Sequence, residues 1–172
     1  FCDHLAYDII FNMPHFYGHR SDYSDGTPRF YRADFRENDF HIKYMCRKLS
    51  REVLKQNCQF VRVYANIQYN GMDGTFHNDD GDFTVLYMVT PTLKLNGQFQ
   101  YRQDGKIIDV DFVHNRLVWF SGKDLDHRGL SPDTDLPRVT VAFKVISVPA
   151  TWEKDPEVDK KEHNAITNNG KR

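Results

Sequence analysis

His77-Asn78-Asp79, in the turn GTFHNDDGD, and His127, fifty positions later in SGKDLDHRGL, are the residues of this chain best suited to chemistry. Two neutral imidazoles and one carboxylate on one face of an octahedral ion leave three positions open. That set suits ferrous iron that must bind a bidentate organic acid and dioxygen together. A structural zinc site more often uses cysteine and closes all four positions. Asp79 is preferred to Asp80 as the third ligand, because residues i and i+2 of an extended segment project to the same side. Asp80 remains the rival, since one residue of slippage in the turn would exchange them.

A second constellation lies downstream in LPRVTVAFKV. Arg138, Thr140, Ala142 and Lys144 share one face of this alternating run, and Val139, Val141, Phe143 and Val145 share the other. The apolar face should meet helices, and the small, polar face should line an interior. An arginine there needs an anionic partner, and its planar guanidinium recognises a carboxylate in bidentate fashion. An aspartate of the protein itself is the competing partner. Thr140 adds a hydroxyl on the same face, and the Tyr69 phenol, at the end of an earlier strand, would reach the same cavity.

With 8 histidines in an aspartate-rich chain, one His-x-Asp arises by chance, so its placement decides what it means. Residues 1–11 read as a short amphipathic helix ended by Pro14. Residues 15–40 are rich in Tyr, Phe, Arg, Asp and Gly without a clean period, and are expected to be a long loop of the kind that forms lids and binding segments. Asp39 should cap a helix carrying an apolar stripe from Phe40 to Leu54. FVRVYANIQY then alternates as a strand, and DFTVLYMV is apolar on both faces, as a strand buried between layers would be. Further strands are expected at 98–102, 106–113, 116–121 and 138–148. Two helices followed by about seven or eight short strands imply a mainly β, α+β protein, an antiparallel sandwich or barrel with helices on one outer face. His77 and Asp79 then sit between two strands at the mouth of that barrel, where ligand sites are built.

The chain has 172 residues, 40 % of them hydrophobic and 14 % aromatic, which suits one folded domain. A single domain over 1–150 is expected, with helices and the long loop in 1–58, a β core in 59–148, and a charged, loosely ordered tail over 151–172. A formal net charge of −1 gives no global field toward nucleic acid or an anionic membrane. No apolar run approaches the roughly 18 residues that span a bilayer. No leader is visible at FCDHLAYDII, so a soluble, cytoplasmic chain is expected, with a trimmed N-terminus allowed. Cys2, Cys46 and Cys58 form no CxxC and read as free thiols in a reducing compartment.

The ordered set His77-x-Asp79, His127 and Arg138-x-Thr140, in YNGMDGTFHNDD, NGQFQYR and RLVWFSGKDLDHRGL, resembles the iron(II)- and 2-oxoglutarate-dependent oxygenases, in particular their prolyl 4-hydroxylase-like branch. The resemblance covers residues 60–148. It implies a double-stranded β-helix (jelly-roll) core, with His77, Asp79 and His127 as iron ligands. It also implies Arg138 on the distal carboxylate of 2-oxoglutarate, helped by Thr140 and Tyr69. The co-substrates would be 2-oxoglutarate and O2, with ascorbate as an accessory reductant, and the reaction a hydroxylation that releases succinate and carbon dioxide. Many prolyl hydroxylases carry lysine where Arg138 stands, which leaves the substrate open.

A peptide or protein, hydroxylated at proline, is the leading substrate. The 14–40 loop, with Arg29, Arg32 and Arg36, would cover it, and the protein would be a monomer or weak dimer. A related oxygenase acting on an alkylated base or small molecule is the alternative; the near-neutral charge disfavours nucleic acid. The reading from another class is a non-catalytic jelly-roll module whose NDDGD turn holds a calcium-type ion. His114, in the turn HNR, reads as a solvated loop residue, while His15, His19 and Arg20 are candidates for substrate contact.

Overall fold

A computed structural model of the chain describes residues 1–21, 26–36, 39–91 and 96–148. The tail expected over 151–172 lies outside the described residues. Helix α1 (Cys2–Tyr7) widens into a π turn at Asp8–Asn12, and α2 (Phe40–Lys48) does the same at Leu49–Leu54. Asp39 caps α2 as expected, its carboxylate accepting the Ile42 N–H at 3.1 Å. Lys55, in the left-handed region with φ 52°, ends the helical run.

The strands are β1 (Phe16–His19), β2 (Phe30–Asp34), β3 (Cys58–Gln68), β4 (Phe83–Met88), β5 (Phe99–Gln103), β6 (Lys106–Val110), β7 (Leu117–Ser121), β8 (His127–Gly129) and β9 (Arg138–Ser147). They form a six-stranded sheet in the order β1-β2-β3-β9-β4-β7 and a three-stranded sheet in the order β6-β5-β8. Every pairing is antiparallel. The architecture is the mainly β, helix-flanked jelly-roll core that the sequence implies.

The alternation of β9 divides the molecule into layers. Val139, Val141, Phe143 and Val145 are fully buried and pack with Ala65 and Ile67 of β3 against Leu5, Ile9, Ile42, Met45 and Leu49 of the helices. Each such side chain contributes about 1.5–3 kcal/mol on burial. A second cluster of Leu86, Met88, Phe99, Phe112 and Phe120 fills the space between the two sheets. β4 serves both layers, Val85 and Tyr87 on one face and Leu86 and Met88 on the other, which explains its unbroken apolar run.

Residues 15–40 depart from the expected irregular loop. β1 and β2 form a hairpin that extends the large sheet at one edge. β1 is four residues long, and Gly18, at φ +116°, interrupts its register between Tyr17 and His19, so no period-2 signal builds up. β8, at three residues, is likewise too short to show a period. No helix among the described residues is long and apolar enough to cross a membrane. Cys2, Cys46 and Cys58 are free thiols.

Candidate metal centre and anion cavity

The segment after β3 and the start of β8 meet in a two-residue bridge, His77 and His127 exchanging backbone N–H···O bonds of 3.0 Å in both directions. This places the two imidazoles with ring centroids 4.4 Å apart. Each ring is oriented by the same device. The Nδ1–H of His77 donates to the Thr75 carbonyl at 2.9 Å, and that of His127 to the Leu125 carbonyl at 2.8 Å. Both rings therefore present a bare Nε2 lone pair inward. His127, packed against Phe99 and Phe120, is pushed down to about 4 by burial, so it is a neutral imidazole at neutral pH.

Asp79 faces both rings, Oδ1 lying 3.5 Å from His77 Nε2 and Oδ2 3.5 Å from His127 Nε2. The three ligand atoms lie within 4.8 Å of one another. The turn is fixed from behind, where the Asp79 N–H donates to the Gly122 carbonyl at 2.8 Å. Burial alone would raise the Asp79 carboxyl, but the adjoining His77 ring and the Lys144 charge hold it well below the usual carboxylate range.

Asp80, one residue on, points away and pairs with Arg62 at the surface through oxygens 2.6 and 2.7 Å from Nη2. Asp82 accepts from Lys123 and from the Ser147 N–H. The carboxylates of NDDGD thus diverge to separate partners, which is not the converging shell a calcium loop needs.

Arg138 enters the same cavity from β9. Its side chain is 2 % exposed and is held by the Gly97 carbonyl at Nε (2.8 Å) and by Gln68 Oε1 at Nη1 (2.7 Å). No carboxylate among the described residues pairs with it, so none of them is the competing partner proposed from sequence. Its Nη2 is buried without a hydrogen-bond partner, as are Thr140 Oγ1 and Asn66 Oδ1 on the same wall. Asn66 lies directly opposite Thr140, and Gln68 opposite Arg138, across the β3–β9 ladder. Burial lowers the guanidinium to about 10, which leaves it a cation.

The cavity between the sheets measures about 240 Å³ and runs from Arg138 and Thr140 to His77, Asp79 and His127. Its mouth is formed by His19 at the end of β1 and by Arg20 and Ser21 beyond it, with Arg62 and Asp80. His19 stands edge-on to Phe30 and Tyr64 with centroids at 5.1 and 5.6 Å, and burial lowers it to about 4. His15 instead bonds the Ile9 carbonyl. Arg32 pairs with Asp34 and stacks over Tyr64 at 4.3 Å, and Arg36 lines a separate groove beside α2.

Two placements correct the sequence reading. Tyr69 does not reach the cavity; it is 36 % exposed and stands edge-on to Tyr31. Beyond the register shift between Phe60 and Arg62, odd-numbered residues of β3 face the helices, so Tyr64, Asn66 and Gln68 line the cavity instead. His114 is no solvated loop residue, as it meets the Thr90 carbonyl at 3.0 Å and Asp3 at 3.0 Å and ties α1 to the β6–β7 connection.

Lys144 is the residue the sequence reading passed over. It is 3 % exposed and ion-pairs with Asp79 Oδ2, while donating to Thr84 Oγ1 at 3.2 Å. Thr84 in turn donates its hydroxyl to the same Asp79 oxygen at 2.6 Å. The alternation of β9 had already placed Lys144 on the interior face; its partner lies 65 positions away in sequence and carries no local mark.

No protein-family model matches the sequence, and no curated protein matches it. Solved structures do share the fold. A 2OG-Fe(II) oxygenase-family oxidoreductase from Burkholderia pseudomallei superposes with a TM-score of 0.60 at 12 % identity, over 78 % of this chain and 73 % of that one. A prolyl hydroxylase from Trichoplax adhaerens, in complex with a hypoxia inducible factor peptide fragment, gives 0.57 at 16 % identity over 68 % of this chain. This chain spans 62 % of that protein's length. A non-heme alpha ketoglutarate dependent epimerase from nogalamycin biosynthesis gives 0.57 at 11 % identity, covering 84 % of this chain and 70 % of its own. The fold is thus that of oxygenases of several kinds.

Proposed function

We propose that this chain is a non-haem iron(II)- and 2-oxoglutarate-dependent oxygenase that hydroxylates a peptide or protein, with a peptidyl proline as the target. The observation that carries this reading is Arg138, a buried cation with no carboxylate partner among the described residues and an orphaned Nη2, at one end of the cavity that holds the His77–Asp79–His127 cluster at the other. A buried guanidinium in that state calls for an anionic ligand. The two imidazoles and the carboxylate suit a ferrous ion that keeps positions open.

The division of labour follows from these contacts. Nε2 of His77, Nε2 of His127 and Asp79 would hold the iron. Bound there with the oxo acid, iron supplies oxygen activation coupled to decarboxylation of 2-oxoglutarate. Arg138 would grip the distal carboxylate through Nη2, while Gln68 and Gly97 hold its other nitrogens in place. Thr140 Oγ1 would donate a second hydrogen bond to that carboxylate. Phe99, packed against His127, and Leu86 line the cavity and would keep water from the reacting end. His19, Arg20 and Ser21, at the mouth, would meet the substrate.

The peptide reading draws support from the Trichoplax neighbour, which is described with a bound peptide fragment. The aromatic and cationic mouth, His19 against Phe30 and Tyr64 with Arg62 beside them, favours a second reading, an oxygenase for an alkylated base. Succinate release separates these possibilities. Turnover of 2-oxoglutarate with a proline-rich peptide supports the first, and turnover only with methylated single-stranded DNA replaces it with the second. Absence of any succinate with Fe(II) returns the chain to the non-catalytic binding module.

A further inference from the structure

A lysine ammonium is an unusual companion for a metal-ligating carboxylate, because it competes with the metal for the same negative charge. Lys144 is fully enclosed between β3, β4 and β9, and its ammonium rests on Asp79 Oδ2. Thr84 donates to that same oxygen at 2.6 Å, so Oδ2 carries two donors while Oδ1 faces His77 Nε2 without one. With both imidazoles in the neutral form that a metal ligand requires, one carboxylate balances one ammonium before any metal enters.

We propose that Lys144 sets the charge balance of this centre, so that a divalent ion alone binds weakly and the site is completed only by the ion together with a dianionic 2-oxo acid. The inference rests on the metal-centre reading above. Adding a divalent ion to the balanced set leaves two uncompensated positive charges in a buried pocket. Adding a dianion with it cancels the ion's own charge, with one carboxylate going to the Arg138 guanidinium in the same cavity. Without Lys144 the metal alone would leave one. Because the Lys144 and Asp79 side chains are buried, this charge is poorly screened, and one unit of charge a few ångströms from a divalent ion shifts affinity by about tenfold or more.

A purely structural role predicts the opposite sign. If Lys144 served only to orient Asp79, its removal would loosen a ligand and weaken the metal. Thr84 makes the two roles separable, since it keeps hold of Oδ2 when the ammonium is gone.

The experiment is a Mn(II) titration followed by loss of the free-ion magnetic resonance signal, with and without 2-oxoglutarate. Wild type should bind Mn(II) weakly alone and at least tenfold more tightly with 2-oxoglutarate, and pyruvate, a monoanion, should enhance less. Lys144→Met should bind Mn(II) alone at least tenfold more tightly than wild type, with a smaller 2-oxoglutarate enhancement. Lys144→Arg should match wild type, and Thr84→Val, which keeps the charge but drops the hydroxyl, should weaken Mn(II). Mn(II) binding by Lys144→Met that is equal to or weaker than wild type overturns the inference while leaving the metal centre intact. Failure of the wild type to bind Mn(II) overturns both. Lys144→Gln carries the same test should the Met variant not fold.

Discussion

Asp79 and Asp80 are neighbours in sequence and occupy opposite environments. The Asp79 side chain is 7 % exposed and faces two imidazoles, whereas that of Asp80 is 69 % exposed and pairs with Arg62 at the surface. The extended backbone between His77 and Asp79 puts i and i+2 on one side and sends Asp80 to the other. Asp79→Asn should therefore abolish measurable Mn(II) binding. Asp80→Asn should leave it within about twofold and change stability by no more than about 1 kcal/mol, the usual worth of an exposed pair. Calorimetric titration and thermal melts of the two variants check this, and the reverse ranking would move the ligand to Asp80.

Arg138 gives the second prediction. Replacing it by Met removes a buried cation from the cavity wall. Loss of a buried charge–charge partner weakens an anionic ligand by about 2 kcal/mol or more, roughly 30-fold. Mn(II) binding without the oxo acid should stay near wild type, because the triad is untouched. Unchanged 2-oxoglutarate affinity would remove Arg138 from the site.

These two sites differ in how far sequence could reach them. Local alternation sufficed for β9 and β4, whose faces are long and uniform, and it placed Arg138, Thr140 and Lys144 inside. The same parity argument, applied consistently to β3, turns Tyr69 away from the cavity, where it stands exposed beside Tyr31, and leaves the cavity to Tyr64, Asn66 and Gln68. The hairpin β1–β2 escaped notice because four- and five-residue strands around a bulge carry too little period. The pairing of Lys144 with Asp79 is set by the β4–β9 ladder and was invisible for that reason. The partial burial of His114 carries no local mark, because its partners, Asp3 in α1 and Thr90 after β4, are distant in sequence.

Gly129 supports Arg138 by having no side chain. A Cβ there would lie 3.0 Å from Nη1 and 3.1 Å from Nη2 of the guanidinium. Gly129→Ala should push Arg138 off its seat and raise the KM for 2-oxoglutarate several-fold. Metal affinity should hold, since the His77–His127 backbone bridge is unaffected. A KM equal to wild type would show that the guanidinium has slack at this point.

Two neutral histidines give the metal-free protein an acid sensitivity. Burial lowers both His127 and His19 from 6.5 to about 4. Between those values the unfolded chain binds more protons than the folded one, so stability rises with pH across this window. The contribution is complete above about pH 6.5 and is lost as pH falls toward 4. Melts of the chelator-treated protein should show the midpoint falling from pH 7 to pH 4.5, with a shallower fall in His19→Gln. A flat profile would mean that these rings are not buried as described.

The central claim is that His77, Asp79, His127 and Arg138 jointly hold ferrous iron and a 2-oxo acid. Anaerobic titration of the protein with Fe(II) and 2-oxoglutarate measures this directly, through the weak visible charge-transfer band of an oxo acid chelated to iron. The band should appear in wild type, vanish in Asp79→Ala, and require much higher 2-oxoglutarate in Arg138→Met. Its absence from the native, folded protein would contradict the account.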